Sequence, residues 1–94
     1  MSAPSRTVLL LYRRADCPLC DEARDVLQVT MEERAARGEP VPVAREVDVD
    51  SDPKLAARFG HRIPVLVAGD HELGMAMSGR QVRAFLDRVM GRLA

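Results

Sequence analysis

A chain of 94 residues with 47% apolar content can bury one modest core, so residues 1–94 are expected to form a single domain. Fourteen basic residues balance fourteen acidic ones, and no net field calls for nucleic acid or an anionic membrane as partner. No window approaches the roughly 20 apolar residues of a membrane span, and the opening MSAPSRT lacks the apolar stretch of a secretory signal, which together predict a cytoplasmic protein.

Residues 1–6 are expected to be a flexible tail. The run TVLLLY at 7–12 is apolar without alternation, the pattern of a parallel strand covered on both faces. A helix is predicted from Pro18 to Arg37: Pro18 suits the first helical position, where a missing N–H is no loss, and Gly38 with Pro40 marks the end. Cys20, Ala23, Leu27 and Met31 share one side of it, while EERAAR at 32–37 reads as a solvated face with local ion pairs. In VPVAREVDV, Val43, Val47 and Val49 alternate with Ala44, Glu46 and Asp48, and Arg45 interrupts the apolar side; this predicts an edge strand. DSDPKLAARFG supplies a short helix with Asp52 as cap, Pro53 in the first turn and Gly60 at the stop. IPVLVA at 63–68 is a further strand, joined by the tight-turn pair Gly69 and Asp70 to the more polar strand HELG. Ser78 followed by Gln81 is a capping box, and Val82, Phe85, Leu86, Val89 and Leu93 keep helical spacing.

The order is βαβαββα. Its first crossover makes strands one and two parallel, and its hairpin makes strands three and four antiparallel, giving an α/β four-stranded mixed sheet with helices on both faces. Both cysteines of the chain, Cys17 and Cys20, then fall outside the carboxyl end of the first strand, where open α/β sheets put their chemistry. A disulfide across two intervening residues closes too small a loop to restrict the unfolded chain much, so a structural staple is disfavoured. A free thiol is only roughly 3% ionised at pH 7, whereas one with a pKa lowered to about 6 is some 90% ionised. Cys17 is expected at the helix cap, near the unpaired N–H groups and the positive end of the dipole, with Cys20 one turn in and more buried. Cys17 therefore reads as the attacking thiolate and Cys20 as the resolving thiol.

CPLC after LLLYRRAD, RIPVLV some forty residues on, and a closing capped helix resemble the glutaredoxin branch of the thioredoxin fold, more closely its small bacterial glutaredoxin-like relatives. The resemblance covers about Val8 to Leu93. It implies a thiol–disulfide oxidoreductase with Cys17 as nucleophile, Cys20 as resolving thiol and Pro64 in the cis form beside them. It also implies that the backbone of Ile63 pairs with an extended substrate backbone. Arg14 matches a basic position that stabilises the thiolate or meets a glutathione carboxylate in that family, and it reads equally as one of a pair of solvated charges after a strand.

The departures bear on the substrate. Typical members carry a tyrosine where this chain has Leu19, and a glycine pair followed by an acidic residue near the last helix, where this chain has MSGRQ. Ser78 and Gly79 still offer backbone N–H groups to a carboxylate. Arg80, however, stands where the acidic residue would receive glutathione's amino group, and a cation repels it. No bound cofactor is expected, and glutathione is doubtful as co-substrate. The expected partners are a disulfide-containing protein or a small thiol, with a reductase or glutathione as electron donor. Cys17, Cys20, His61 and His71 fit no compact zinc module, so no metal is expected; His61 and His71 read as loop and edge-strand residues, and Met75 and Met77 as core or site wall. The alternative function is a redox-inactive module that holds an extended peptide in the groove beside Pro64.

Overall fold

The computed structural model describes residues 7–76 and 78–91; the tail expected at 1–6, Met77 and Leu93 lie outside the described residues. Its elements are β1 (Val8–Arg13), α1 (Pro18–Ala36), β2 (Val43–Asp48), a 3₁₀ turn (Val49–Ser51), α2 (Pro53–Phe59), β3 (Val65–Ala68), β4 (His71–Gly74) and α3 (Gly79–Met90). The four strands form one mixed sheet in the order β2-β1-β3-β4. β1 runs parallel to β2 from Val8↔Val43 to Arg13↔Asp48, and antiparallel to β3, which pairs antiparallel with β4. The chain has the α/β architecture of the thioredoxin-like fold, with β2 as an edge strand.

Local chemistry explains the boundaries. Cys17 caps α1 with Pro18 in its first turn, and Asp52 caps α2 by accepting from the Lys54 N–H, with Pro53 next. The capping box of α3 is present in both directions. Pro64 has no N–H to give a ladder, and β3 starts at Val65 rather than Ile63. Asp48 ends β2 and starts the 3₁₀ turn, its carboxylate accepting from the Asp50 N–H at 2.9 Å.

Two cores of unequal size flank the sheet. On one face Leu9, Leu11, Leu66 and Ala68 pack with Ala23 and Leu27 of α1 and Val82, Phe85 and Leu86 of α3. On the other, Val49, Phe59 of α2 and Val65 pack with Tyr12, Leu55 and Val67, and the Tyr12 and Phe59 rings stack at 4.2 Å. β1 feeds both cores, which is why its apolar run does not alternate. Among the described residues no helix is long and apolar enough to cross a membrane.

The EERAAR face is not solvated throughout. Arg34 is 1% exposed, and its guanidinium donates to Pro40 O at 2.8 Å, Asp87 Oδ1 at 2.7 Å and Gly91 O at 2.6 Å. The buried stripe of α1 runs Cys20, Ala23, Leu27, Thr30, Arg34, and the last of these finds its acceptors in the loop after α1 and at the end of α3.

Candidate redox site

β1 ends at Arg13, and a short loop delivers the chain to α1. Asp16 in that loop has φ 56°, a left-handed conformation that aspartate tolerates better than most residues. Cys17 follows in extended backbone, φ −114° and ψ 98°, which aims its Sγ over the first turn of α1. The Cys20 N–H donates to that sulfur at 3.2 Å, and the Cys20 and Asp21 N–H groups donate to the Cys17 carbonyl at 3.0 and 3.1 Å. Cys17 and Cys20 are disulfide-bonded, with their Cα atoms 5.2 Å apart. Cys20 has no exposed surface, while Cys17 is half-buried. The approach from solvent therefore leads to the Cys17 sulfur, and the same N–H that touches it in the disulfide is in place to solvate a thiolate.

The two arginines before the motif have different fates. Arg14 turns to the 3₁₀ segment, donating from Nε to Asp50 Oδ2 at 2.8 Å and from Nη2 to Asp50 Oδ1 at 3.3 Å. Its charge is shared with a carboxylate rather than presented alone. Arg13 is the more enclosed, with 15% of its side chain exposed, and it donates to Asp21 Oδ1 at 2.7 Å and to Glu46 Oε1 at 3.1 Å. This fastens the first turn of α1, directly after Cys20, to the ends of β1 and β2. The hydrogen bond from Arg13, opposed by desolvation and assisted by the charges of Arg13 and Arg24, holds the Asp21 carboxyl below its usual range. In the sequence Arg13 read only as one of a pair of solvated charges after a strand, and its enclosure corrects that. The signal available was Asp21 in the first helical turn, an acid needing a cation from the strand just before it.

The Ile63–Pro64 peptide bond is cis and Pro64 is buried. The register Tyr12↔Val65 sets this pair at the carboxyl end of β1, the end from which the Cys17 loop departs. Arg62 O and Pro64 O accept from the Met75 N–H at 3.1 Å and the Ala76 N–H at 2.9 Å. Among the described residues, the N–H and C=O of Ile63 between them take no hydrogen-bond partner.

The cap of α3, Ser78, follows two residues after Ala76, whose N–H donates to Pro64 O. The Ser78 N–H donates to Gln81 Oε1 at 3.3 Å and Ser78 Oγ accepts from the Gln81 N–H at 3.1 Å, so the Ser78 donor is committed to the capping box. Gly79 lines a groove of about 280 Å³ with Val26, Val29 and Thr30, in the middle of α1. At ~1.5 Å per residue, Val26 is about 13 Å along the helix from Cys17. Arg80 lines a separate cavity of about 430 Å³ with Arg37, Glu39, Arg83, Ala84 and Asp87, toward the far end of α1. His61 is an exposed loop residue and His71 an exposed residue of β4. Among the described residues no three of His, Cys, Asp and Glu converge to hold a metal ion.

Against known proteins, residues 8–89 match the family model described as "Glutaredoxin-like domain (DUF836)". The chain belongs to this glutaredoxin-like family. Among solved structures, the X-ray structure of the structural-genomics target protein XcR50 from X. campestris is similar at 32% identity, covering 85% of this chain and 96% of that one, with a TM-score of 0.68. Its solution structure is similar at 33% identity, covering 85% and 92%, with a TM-score of 0.63. A structure titled as a malarial protein shares the fold alone, at 14% identity and a TM-score of 0.64, covering 92% of this chain and 99% of its own. No curated protein matches the chain significantly. Membership of the glutaredoxin-like family and the bonded Cys17–Cys20 pair fit a thiol–disulfide redox role in general terms.

Proposed function

We propose that this glutaredoxin-like chain is a dithiol oxidoreductase that reduces protein or low-molecular-weight disulfides. The observation that carries the proposal is the unequal exposure of two bonded sulfurs at one helix start, Cys17 half-buried and Cys20 enclosed. In the reduced state the Cys17 thiolate attacks one sulfur of a substrate disulfide, forming a mixed disulfide and expelling the other sulfur as a thiolate, which takes up a proton. Cys20 gives up its proton, and its thiolate attacks the Cys17 sulfur. The mixed disulfide breaks, the second substrate thiolate leaves, and the Cys17–Cys20 bond stores the oxidation. Two electrons have passed to the substrate, and a two-electron reductant, either a reductase or two equivalents of glutathione, returns the protein to the dithiol. The Ile63 N–H and C=O supply an edge on which an extended substrate backbone docks.

The test is trapping. Cys20→Ser should accumulate a mixed disulfide with a substrate thiol on Cys17, seen as an adduct by mass spectrometry, while Cys17→Ser should be inert. Absence of the adduct after exposure to a disulfide would leave the open edge at Ile63 to the alternative, a peptide-holding module with idle cysteines.

A further inference from the structure

We propose that Met75 is the specificity-determining residue of this site, selecting disulfides that carry an apolar side chain beside the reacting cysteine; the inference rests on the oxidoreductase reading above. Met75 has φ 54°, in the left-handed region that residues other than glycine, asparagine and aspartate seldom occupy. Nothing in the turn itself demands methionine, since glycine or asparagine adopts this conformation with less strain. The turn is nonetheless held firmly. The N–H groups of Met75 and Ala76 grip Arg62 O and Pro64 O, one on each side of Ile63, and Ala76 is fully buried. With its backbone anchored this way, Met75 is 51% exposed, a large apolar side chain turned to solvent beside the unpaired edge of Ile63. The position thus carries two disadvantages for stability, a left-handed backbone and an exposed thioether, at the one turn that flanks the proposed substrate edge.

The surroundings indicate what this side chain would meet. The neighbouring cations do not face outward alone, because Arg58 and Arg62 both donate to Glu72, at 2.9 and 3.2 Å. Leu19, in the first turn of α1 between the two cysteines, is 44% exposed and adds a second apolar side chain at the same end of the sheet. A segment laid along Ile63 as a short strand would bring a side chain against Met75, whose unbranched, polarizable stem adapts to aliphatic or aromatic shapes. The preferred substrate class is therefore a protein disulfide with an apolar neighbour, rather than a small charged thiol.

The experiment uses the pre-reduced full chain in single turnover, so that no external reductase enters: protein dithiol plus disulfide gives protein disulfide plus two thiols. Three disulfides are compared, a peptide with leucine next to its cysteine, the same peptide with aspartate there, and hydroxyethyl disulfide. Met75→Gly should slow the leucine peptide about tenfold, the scale set by losing apolar contact in a pocket. It should leave hydroxyethyl disulfide within about twofold and raise the urea midpoint, since glycine accepts the left-handed turn. Met75→Leu should restore the leucine-peptide rate, and Met75→Asn should not. Equal slowing of all three disulfides, or no slowing of the leucine peptide, overturns the proposal. Dissociation constants for a cysteine-to-alanine leucine peptide are measured in parallel, and Met75→Gly should weaken binding by a similar factor. If wild type failed to reduce even hydroxyethyl disulfide, the oxidoreductase reading would fall, and the peptide constants would still decide the role of Met75.

Discussion

Replacing Arg34 by methionine tests the least expected contact in the fold. Methionine keeps most of the aliphatic stem, so the loss reports on the guanidinium and its hydrogen bonds to Pro40 O, Asp87 Oδ1 and Gly91 O. Removing one partner of a buried ion pair costs about 3–5 kcal/mol, because the carboxylate loses one of its contacts and the two carbonyls lose this donor where water cannot fully replace it. The Asp87 side chain is 23% exposed and keeps some hydration, which places the expected loss at the lower end, about 3 kcal/mol. For a domain of this size that lowers the Tm by roughly 12–24 °C, out of a total stability of about 5–15 kcal/mol. Urea melts of wild type, Arg34→Met, Asp87→Asn and the double variant give the coupling directly. Arg34 lies about 25 Å along α1 from Cys17, so the reaction of Cys17 with a small disulfide, measured well below the melting transition, should be unchanged. A loss under about 1 kcal/mol for Arg34→Met would return this arginine to the class of surface charges and refute the reasoning.

Asp21 supplies a pH test. Arg13 holds its carboxyl below the usual range, so the native state binds this proton less readily than the unfolded chain. The stabilisation is complete at neutral pH and is lost as the pH falls through and below about 4, so the difference in urea midpoint between wild type and Asp21→Asn should be present at pH 7 and shrink at pH 3. A difference that grew in acid would reverse the sign assigned to the pair. Arg80→Asp should leave the rate of Cys17 with glutathione mixed disulfides within about twofold, because Arg80 faces the far end of α1 and the intervening solvent screens its charge. A tenfold fall in KM would bring Arg80 next to the site after all.

Features set by near neighbours in the chain were legible from the residues. The α1 cap at Cys17, the α2 cap at Asp52 and the box of Ser78 and Gln81 each satisfy backbone donors a turn away, and the alternation of β2 marked it as an edge. What escaped was fixed by distant partners. Arg13 and Arg14 are adjacent in sequence, yet one meets Glu46 as well as Asp21 and the other Asp50, and the register of β1 on β2 decides which. Arg34 sits seven residues after Leu27, on the side that Cys20, Ala23 and Leu27 share, and its charge obscured a periodicity that was there. The glutathione argument built on Arg80 rested on aligning MSGRQ with the glycine pair and acidic residue of typical members, and could not show that Arg80 lines a cavity with Arg37 and Glu39, which only the packing of α3 on α1 decides. Met75 gave no warning, because methionine is not a residue that announces a left-handed turn.

The two margins of the sheet bear on how copies of the chain avoid one another. β2 exposes Arg45, Glu46 and Asp48 along its free side, and β4 is only four residues long and begins with the exposed His71 and Glu72. Strands that end in charge or end early are poor templates for edge-to-edge self-association, since a second copy would have to strip water from those groups to extend the ladder. The open backbone at Ile63 is a different kind of edge, one residue wide and bounded by Pro64, which cannot donate. An opening of one residue would suffice for the single substrate strand proposed above and is too short to seed a growing stack, so a docking edge of this kind carries little risk of fibrils.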